Sequence, residues 1–274
     1  MPYFEVDPDK CKRDAICVAE CPARVIEMKT PQDPPTASED FADYCIRCGH
    51  CVAVCPAGAF SLEGMPPSDC PEIKKDLMIT SAQAEQFLRS RRSIRSFKKK
   101  PVEKEKLETL MRVACYAPSA KNMQPWHWIV VKNPDRVKEL AGMVVDWMRD
   151  VIRQSPDPAA VATLARVTAA WDQGEERVCR GAPHLIVLHG QRDWGYGSED
   201  GALALAYLEL YAPMLGLGSC WGGYFYTAVN GYPPLARALG IPEEHRAYGA
   251  VMVGYPRFSY RRQPTREAPR IVWL

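Results

Sequence analysis

Seven of the chain's eleven cysteines fall within the first 55 residues, in two runs. The first run is Cys11-x5-Cys17-x3-Cys21-Pro22, and the second is Cys45-x2-Cys48-x2-Cys51-x3-Cys55-Pro56. The first run matches the second at every position but one, where Asp14 stands in the place of a cysteine. Two residues between thiols let a loop wrap one corner of a metal cluster. Met1–Lys10 has no basic start followed by an apolar run, so no secretory signal is expected. The cysteines therefore read as metal ligands in a reducing compartment, with a cytoplasmic location expected, rather than as disulfides.

The second run carries the bacterial iron–sulfur spacing in full. Soft thiolate sulfur suits such clusters, and the fourth cysteine of each run, followed by proline, ligates the other cluster. One cluster is expected on Cys45, Cys48, Cys51 and Cys21. The other is expected on Cys11, Cys17 and Cys55, with Asp14 facing the fourth iron. Zinc is the competing use of such spacings, but paired Cys-Pro endings on interleaved runs are not a habit of zinc sites. Residues 1–64 resemble a bacterial two-cluster ferredoxin. Three readings of Asp14 stand: a carboxylate ligand, an open site with labile iron or a 3Fe-4S cluster, or a surface residue beside a water or hydroxide ligand. His50 lies between two ligands and reads as a neighbour of the cluster, and Cys70 as a free thiol.

Charge divides the chain at about the same place. Residues 1–72 carry 13 acids and 6 bases, and the remainder carries 20 acids and 29 bases. The overall charge of +2 argues against a general nucleic-acid binder. Two domains and a linker follow: 1–64 as the iron–sulfur domain, 65–79 as a proline-rich linker, and 80–274 as a larger domain. The apolar stretch Gly201–Tyr226 raises a membrane question. Glu209, Pro213 and the glycines beyond argue against a spanning helix.

A strand is expected at Tyr3–Val6. In the larger domain, apolar periodicity predicts helices over Ser81–Arg89, Lys104–Tyr116, Val137–Ile152, Ala159–Trp171, Asp200–Leu215 and Pro233–Leu239. Strands are expected at Trp128–Lys132, His184–His189 and Ala247–Gly254, with a strand or extended turn at Ser219–Tyr226. Mixed elements of this kind favour an α+β or α/β sandwich. His127 and His184 read as core histidines, Cys115, Cys179 and Cys220 as buried small residues, and Trp147 and Trp171 as core or interface.

Four segments of the larger domain occur together in a telling order. They are Arg91-Arg92-Ser93-Ile94-Arg95, Pro118-Ser119-Ala120-Lys121-Asn122-Met123-Gln124-Pro125-Trp126, Gly216-Leu217-Gly218-Ser219-Cys220-Trp221-Gly222-Gly223 and Gln263-Pro264-Thr265-Arg266. In this order, across residues 80–274, they resemble the nitroreductase family of FMN proteins. The resemblance implies a fold class of α+β: a ferredoxin-like two-cluster domain fused to a three-layer α-β-α sandwich that forms an intertwined homodimer.

The resemblance also implies roles for residues. Arg91, Arg92, Ser93 and Arg266 would bind the FMN phosphate or ribityl chain, with Arg262 a further candidate; arginine suits a phosphate because its fork is planar and two-pronged. Arg95 would reach the pyrimidine edge and tune the flavin. Pro118, Ser119 and Asn122 belong to the loop that approaches the flavin from the partner subunit, and Gly218 and Ser219 to the backbone beside the ring. Trp221, Tyr224 and Phe225 are candidates for the substrate pocket, with core packing as the competing use of each. No catalytic acid or base is assigned. The implied function is an iron–sulfur flavoprotein enzyme that takes electrons from an external low-potential donor, ferredoxin or NAD(P)H. It would pass them through two clusters and FMN to a small conjugated acceptor, such as a nitroaromatic or quinone. A relay or sensor docking another protein through its acidic segment is the alternative.

Overall fold

The computed structural model describes residues 4–274 and divides into two compact units. The first comprises Met1–Ile79 with Lys121–Met123, and the second Thr80–Ala120 with Gln124–Leu274. Tyr3, at the start of the expected first strand, lies outside the described residues.

In the first unit, β1 (Phe4–Val6) pairs antiparallel with β4 (Phe60–Leu62), and β2 (Ile26–Glu27) with β3 (Thr36–Ala37). Between them lie the short helices α1 (Ile16–Glu20), α2 (Phe41–Tyr44) and α3 (His50–Val54). Phe4 stacks on Phe60 at 4.6 Å and lies 5.0 Å from Phe41, so three rings anchor a small core. The internal repeat is written in the backbone. Left-handed residues precede both cluster-loop helices, Ala15 (φ 59°) before α1 and Gly49 (φ 75°) before α3. Extended cysteines, Cys21 and Cys55, end both, as the following prolines require. Arg13 and Arg47 are left-handed as well. A left-handed alanine costs about 1–2 kcal/mol, which the repeated loop geometry imposes on Ala15.

The second unit starts at a capping box. Thr80 Oγ1 accepts from the Gln83 N–H (3.2 Å) and Gln83 Oε1 from the Thr80 N–H (2.9 Å), opening α4 (Ser81–Ser90). There follow α5 (Lys104–Ala114), β5 (His127–Val131), α6 (Pro134–Gln154), α7 (Ala162–Asp172), β6 (His184–Gln191), α8 (Gly197–Tyr211), β7 (Gly218–Trp221), α9 (Gly223–Gly231), α10 (Pro233–Leu239) and β8 (His245–Gly254). The four strands form one antiparallel sheet in the order β5-β6-β8-β7.

Alternation along β6 sends Leu185 and Val187 into one apolar cluster and Ile186 and Leu188 into another. The first cluster takes Val137, Leu140, Ala141, Val144, Val145 and Met148 of α6, an apolar stripe at helical spacing. The second takes Leu107, Leu110 and Ala114 of α5 with Ala204, Leu205 and Leu208 of α8. Each face of the sheet is thus covered by helices, which is why β6 reads as an unbroken apolar run.

The segment expected as a strand or turn over Ser219–Tyr226 is in fact a short strand followed by α9. Phe225, Ala228 and Val229 are buried at helical spacing there, so tertiary packing overrides the β preference of the aromatic run. The expected Asp200–Leu215 helix begins at Gly197 and finishes as a 3-10 turn over Ala212–Leu215, before left-handed Gly216. Among the described residues no helix is long and apolar enough to cross a membrane.

Candidate cluster and cofactor sites

Two cavities in the first unit sort the cysteines. One, of about 350 Å³, is lined by Cys21, Cys45, Cys48 and Cys51. The other, also about 350 Å³, is lined by Cys11, Asp14, Cys17 and Cys55. Each cavity therefore gathers three positions of one run and the last cysteine of the other. Asp14 occupies in the first loop the place that Cys48 holds in the second. Its Oδ1 accepts from the Ile16 N–H at 3.2 Å, which fixes the carboxylate beside the cavity.

The chemistry of this donor set fits a thiolate-bound iron–sulfur cluster. Burial raises Cys17 and pushes Cys51 up to about 12, so a bound soft metal is what would hold these groups as thiolates. Cys55 Sγ accepts from the Ala59 N–H at 3.3 Å, the kind of bond that steadies a cluster sulfur. His50 is exposed at the start of α3, and Cys70 packs half-buried against this unit's core.

In the second unit, the Ser93 rung pairs in parallel with Ser219, and the Ile94 N–H donates to the Ser219 carbonyl at 2.8 Å. That pairing brings the arginine-rich segment to the glycine segment. A cavity of about 900 Å³ there is lined by Arg92, Ile94, Glu209, Gly218, Ser219 and Tyr260, among others. Gly218 has no room for a side chain, since a Cβ would meet Ile94 Cγ1 at 2.3 Å. Arg91 lies 3.9 Å from Glu209, and Ser219 Oγ donates to Glu209 at 3.2 Å. Burial raises the Glu209 carboxyl, against the pull of Arg91 and Ser219. Arg92 Nε is buried and has no hydrogen-bond partner among the described residues. An orphaned guanidinium donor at such a cavity fits a phosphate group.

The expected site residues do not all converge. Arg91, Arg92, Ser93, Gly218 and Ser219 come together, and Arg95 joins them through a 3.5 Å bond to the Ser93 carbonyl. Pro118 and Ser119 sit on a separate loop, where Ser119 Oγ accepts from the Gln124 N–H at 2.9 Å. Asn122 groups with the first unit, its amide donating to the Ile46 and Arg47 carbonyls at 3.3 and 3.0 Å. Arg262 and Arg266 are exposed on the C-terminal segment.

The aromatic candidates are spread through the cores. Phe225 is fully buried in the first cluster, Tyr224 packs against that cluster, and Trp221 packs against the second. Trp147 and Trp171 also pack against the first cluster. Cys179 and Cys220 are buried, and Cys115 is half-buried.

His184 is buried as expected, its Nε2 accepting from the Val102 N–H at 2.7 Å. His127 is not a core histidine. It is exposed, and its ring lies 5.4 Å from His189 and 4.8 Å from His245. Its place opposite His189 in the β5–β6 register puts it at the end of the sheet, where the apolar pattern of the strand stops covering it.

Two residues were missed from sequence. Glu209 lines the cavity, yet it reads as one polar residue in an apolar helix. Asp200 is buried, with Oδ1 accepting from the Ala120 N–H (2.9 Å) and Oδ2 from Trp194 Nε1 (2.7 Å). It therefore fixes the loop that carries Ser119.

Fold and cavities define a fused protein: a thiol-lined unit joined to an α+β unit with an arginine-bearing cavity. The chain belongs to the nitroreductase family, whose model matches residues 88–255, and a model of the 4Fe-4S dicluster domain matches residues 9–60. Among relatives, an NADH dehydrogenase of Thermus thermophilus is 29% identical over 61% of this chain and 83% of its own length. Iodotyrosine deiodinase 1 of Pongo abelii is 32% identical over 72% of this chain and 69% of its own. The crystal structure of a nitroreductase with bound FMN from Desulfitobacterium hafniense superposes with a TM-score of 0.58 at 23% identity. It covers 72% of this chain and 100% of the other.

Proposed function

We propose that this chain is an FMN-dependent oxidoreductase in which iron–sulfur clusters deliver electrons to the flavin and the flavin reduces a small conjugated acceptor, a nitroaromatic or quinone. The observation that carries this reading is the coexistence in one chain of two cavities lined by cluster-type donors and an arginine-bearing cavity built on the Ser93–Ser219 pairing. A reduced ferredoxin-like protein or NAD(P)H is the donor we expect.

When bound, FMN supplies the step between one-electron carriers and a two-electron acceptor. The chain's own residues do the rest. Arg91 and Arg92 would hold the phosphate, Arg92 through its orphaned Nε. Ser93 and Ser219 fix the backbone at the ring's edge, and Arg95 would place positive charge near it, favouring a more negative flavin. Glu209 holds Arg91 and Ser219 in place. In the first unit, Cys21, Cys45, Cys48 and Cys51 would hold one cluster, and Cys11, Cys17, Cys55 and Asp14 would surround the other. An intertwined homodimer is part of this reading. It is supported by the exposed apolar residues Leu88, Ile271, Val272 and Trp273, which would be covered by a second copy.

The test is anaerobic. Protein carrying flavin and clusters is reduced, mixed with a nitroaromatic or benzoquinone, and followed at the flavin band. Reoxidation well above the rate in buffer alone is expected. Equal rates would overturn the enzyme reading and favour a relay to a protein partner.

A further inference from the structure

A second polar cavity lies at the other end of β8 from the Gly218–Ser219 pairing. Gly254 pairs with Gly218 at one end of β8, and His245 begins the other. Those ends are about 30 Å of extended chain apart. The cavity is open to solvent, with about 700 Å³ of space when the solvent-filled mouth is included, and its polar lining is Arg192, Asn230, Arg237, Glu243, His245 and Arg246. The three arginines and Glu243 set three positive charges against one negative. None of the three arginines is in an ion pair among the described residues.

The wall is built rather than loose. Arg192 donates from Nη2 to the His245 carbonyl at 2.9 Å and from Nε to the Glu243 carbonyl at 3.4 Å. Asn230 holds both backbone groups of Ala247, accepting from its N–H at 3.0 Å and donating to its carbonyl at 3.1 Å. That pair ties α9 to β8. His245 is buried and fixed from behind by His189, with 3.0 Å between their Nδ1 atoms. Arg246 Nε is buried without a hydrogen-bond partner, and its Nη2 reaches Ser198 Oγ only at 3.5 Å. A buried guanidinium donor left unmatched is unfavourable, and a bound acceptor would remove that cost.

We propose that this cavity binds a phosphate-bearing small molecule of the pyrophosphate class, separately from the flavin cavity. Three guanidinium groups supply the planar, multi-donor recognition that phosphate oxygens take and that lysines do not match. The shared chemistry is a diphosphate, whether free or carried by a nucleoside.

The experiment uses the full chain with its cofactors loaded, and isothermal titration with inorganic pyrophosphate and with ADP as separate probes. Wild-type protein should bind at least one, more weakly as salt rises. Arg246→Gln and Arg237→Gln should each weaken that binding tenfold or more, whereas Arg92→Gln should leave it unchanged. Arg237 is exposed on α10, so its variant is expected to fold. Equal binding of both probes would identify the diphosphate itself as the ligand; tighter ADP binding would identify a nucleotide. No binding at millimolar probe, or binding that both cavity variants retain within twofold, would overturn the proposal. So would loss on Arg92→Gln alone, which would assign the anion to the flavin cavity. Flavin content, read from the visible spectrum of the same samples, reports separately on the oxidoreductase reading.

Discussion

Replacing Asp200 tests how the fold holds the loop that carries Ser119, the loop expected to approach the flavin. The carboxylate is only 2% exposed, and it accepts from the Ala120 N–H and from Trp194 Nε1. It is delivered there by close approach of α8 to the sheet. A Cβ at Gly197 would fall 2.3 Å from Tyr248 Cε1, and one at Gly201 would fall 2.5 Å from Tyr248 Cβ, so only glycines let the helix lie against that ring. Ala120 adjoins Lys121 and Asn122, both left-handed at φ 52° and 53°. Such residues keep their conformation only where neighbours hold them.

A hydrogen bond to a charged group is worth roughly 1.5–3 kcal/mol, and a buried donor left without a partner costs about 1–3 kcal/mol. Asp200→Ala forfeits two such bonds but also removes a buried charge, so a net loss of about 3 kcal/mol is expected. Asp200→Asn can still accept from Ala120 while turning an N–H toward Trp194, and should lose about half as much. Urea unfolding followed by tryptophan fluorescence measures the loss, and flavin titration measures the loop. The alanine variant should weaken flavin binding at least tenfold, and the asparagine variant should recover most of it. A stability change under about 0.5 kcal/mol, the size of an ordinary surface substitution, with unaltered flavin affinity, would refute the reasoning.

Two further outcomes follow from the geometry. Burial first, then the neighbouring imidazoles of His245 and His127, pushes His189 down to about 4. The unfolded chain takes up that proton near the ordinary value of about 6.5, so stability should be full above it and fall as pH drops toward 4, by at most roughly 3 kcal/mol. His189→Asn should flatten the curve of denaturation midpoint against pH, and an unchanged slope between pH 7 and 5 would refute the assignment. Asp14→Cys completes the second thiol quartet and should alter the iron content, or the potential and low-temperature EPR signal, of one cluster only. If none of these moves, Asp14 is not a ligand.

What the sequence made legible was local. The cysteine runs repeat at short spacing, and the expected grouping of Cys21 with the second run and of Cys55 with the first matches the side chains that line each cavity. The start of the second unit was legible for the same reason, since Thr80 and Gln83 cap one helix turn. The α9 helix is hidden in the sequence because Trp221, Tyr224, Phe225 and Tyr226 favour strands. The corrective pattern, Phe225, Ala228 and Val229, was present at helical spacing but ran past the expected end of the segment.

The residues that escaped notice act across elements. Asp200 matters through Ala120, eighty positions away in sequence, and no periodicity in α8 marks its partner. Arg192, Arg237 and Arg246 follow β6, end α10 and begin β8, and each alone looks like an ordinary solvated charge. Their meaning comes from antiparallel pairing: Gln191 sits opposite His245, which sets Arg192 beside the start of β8. The same register puts His127 opposite His189 and so exposes a histidine that its apolar neighbours suggested was buried. An antiparallel sheet carries chemistry at both ends of its strands. In this unit the Ser93–Ser219 pairing organises the Arg92 cavity at one end of β8, and the arginine cavity proposed to bind a diphosphate lies at the other, set by the same hydrogen-bond register.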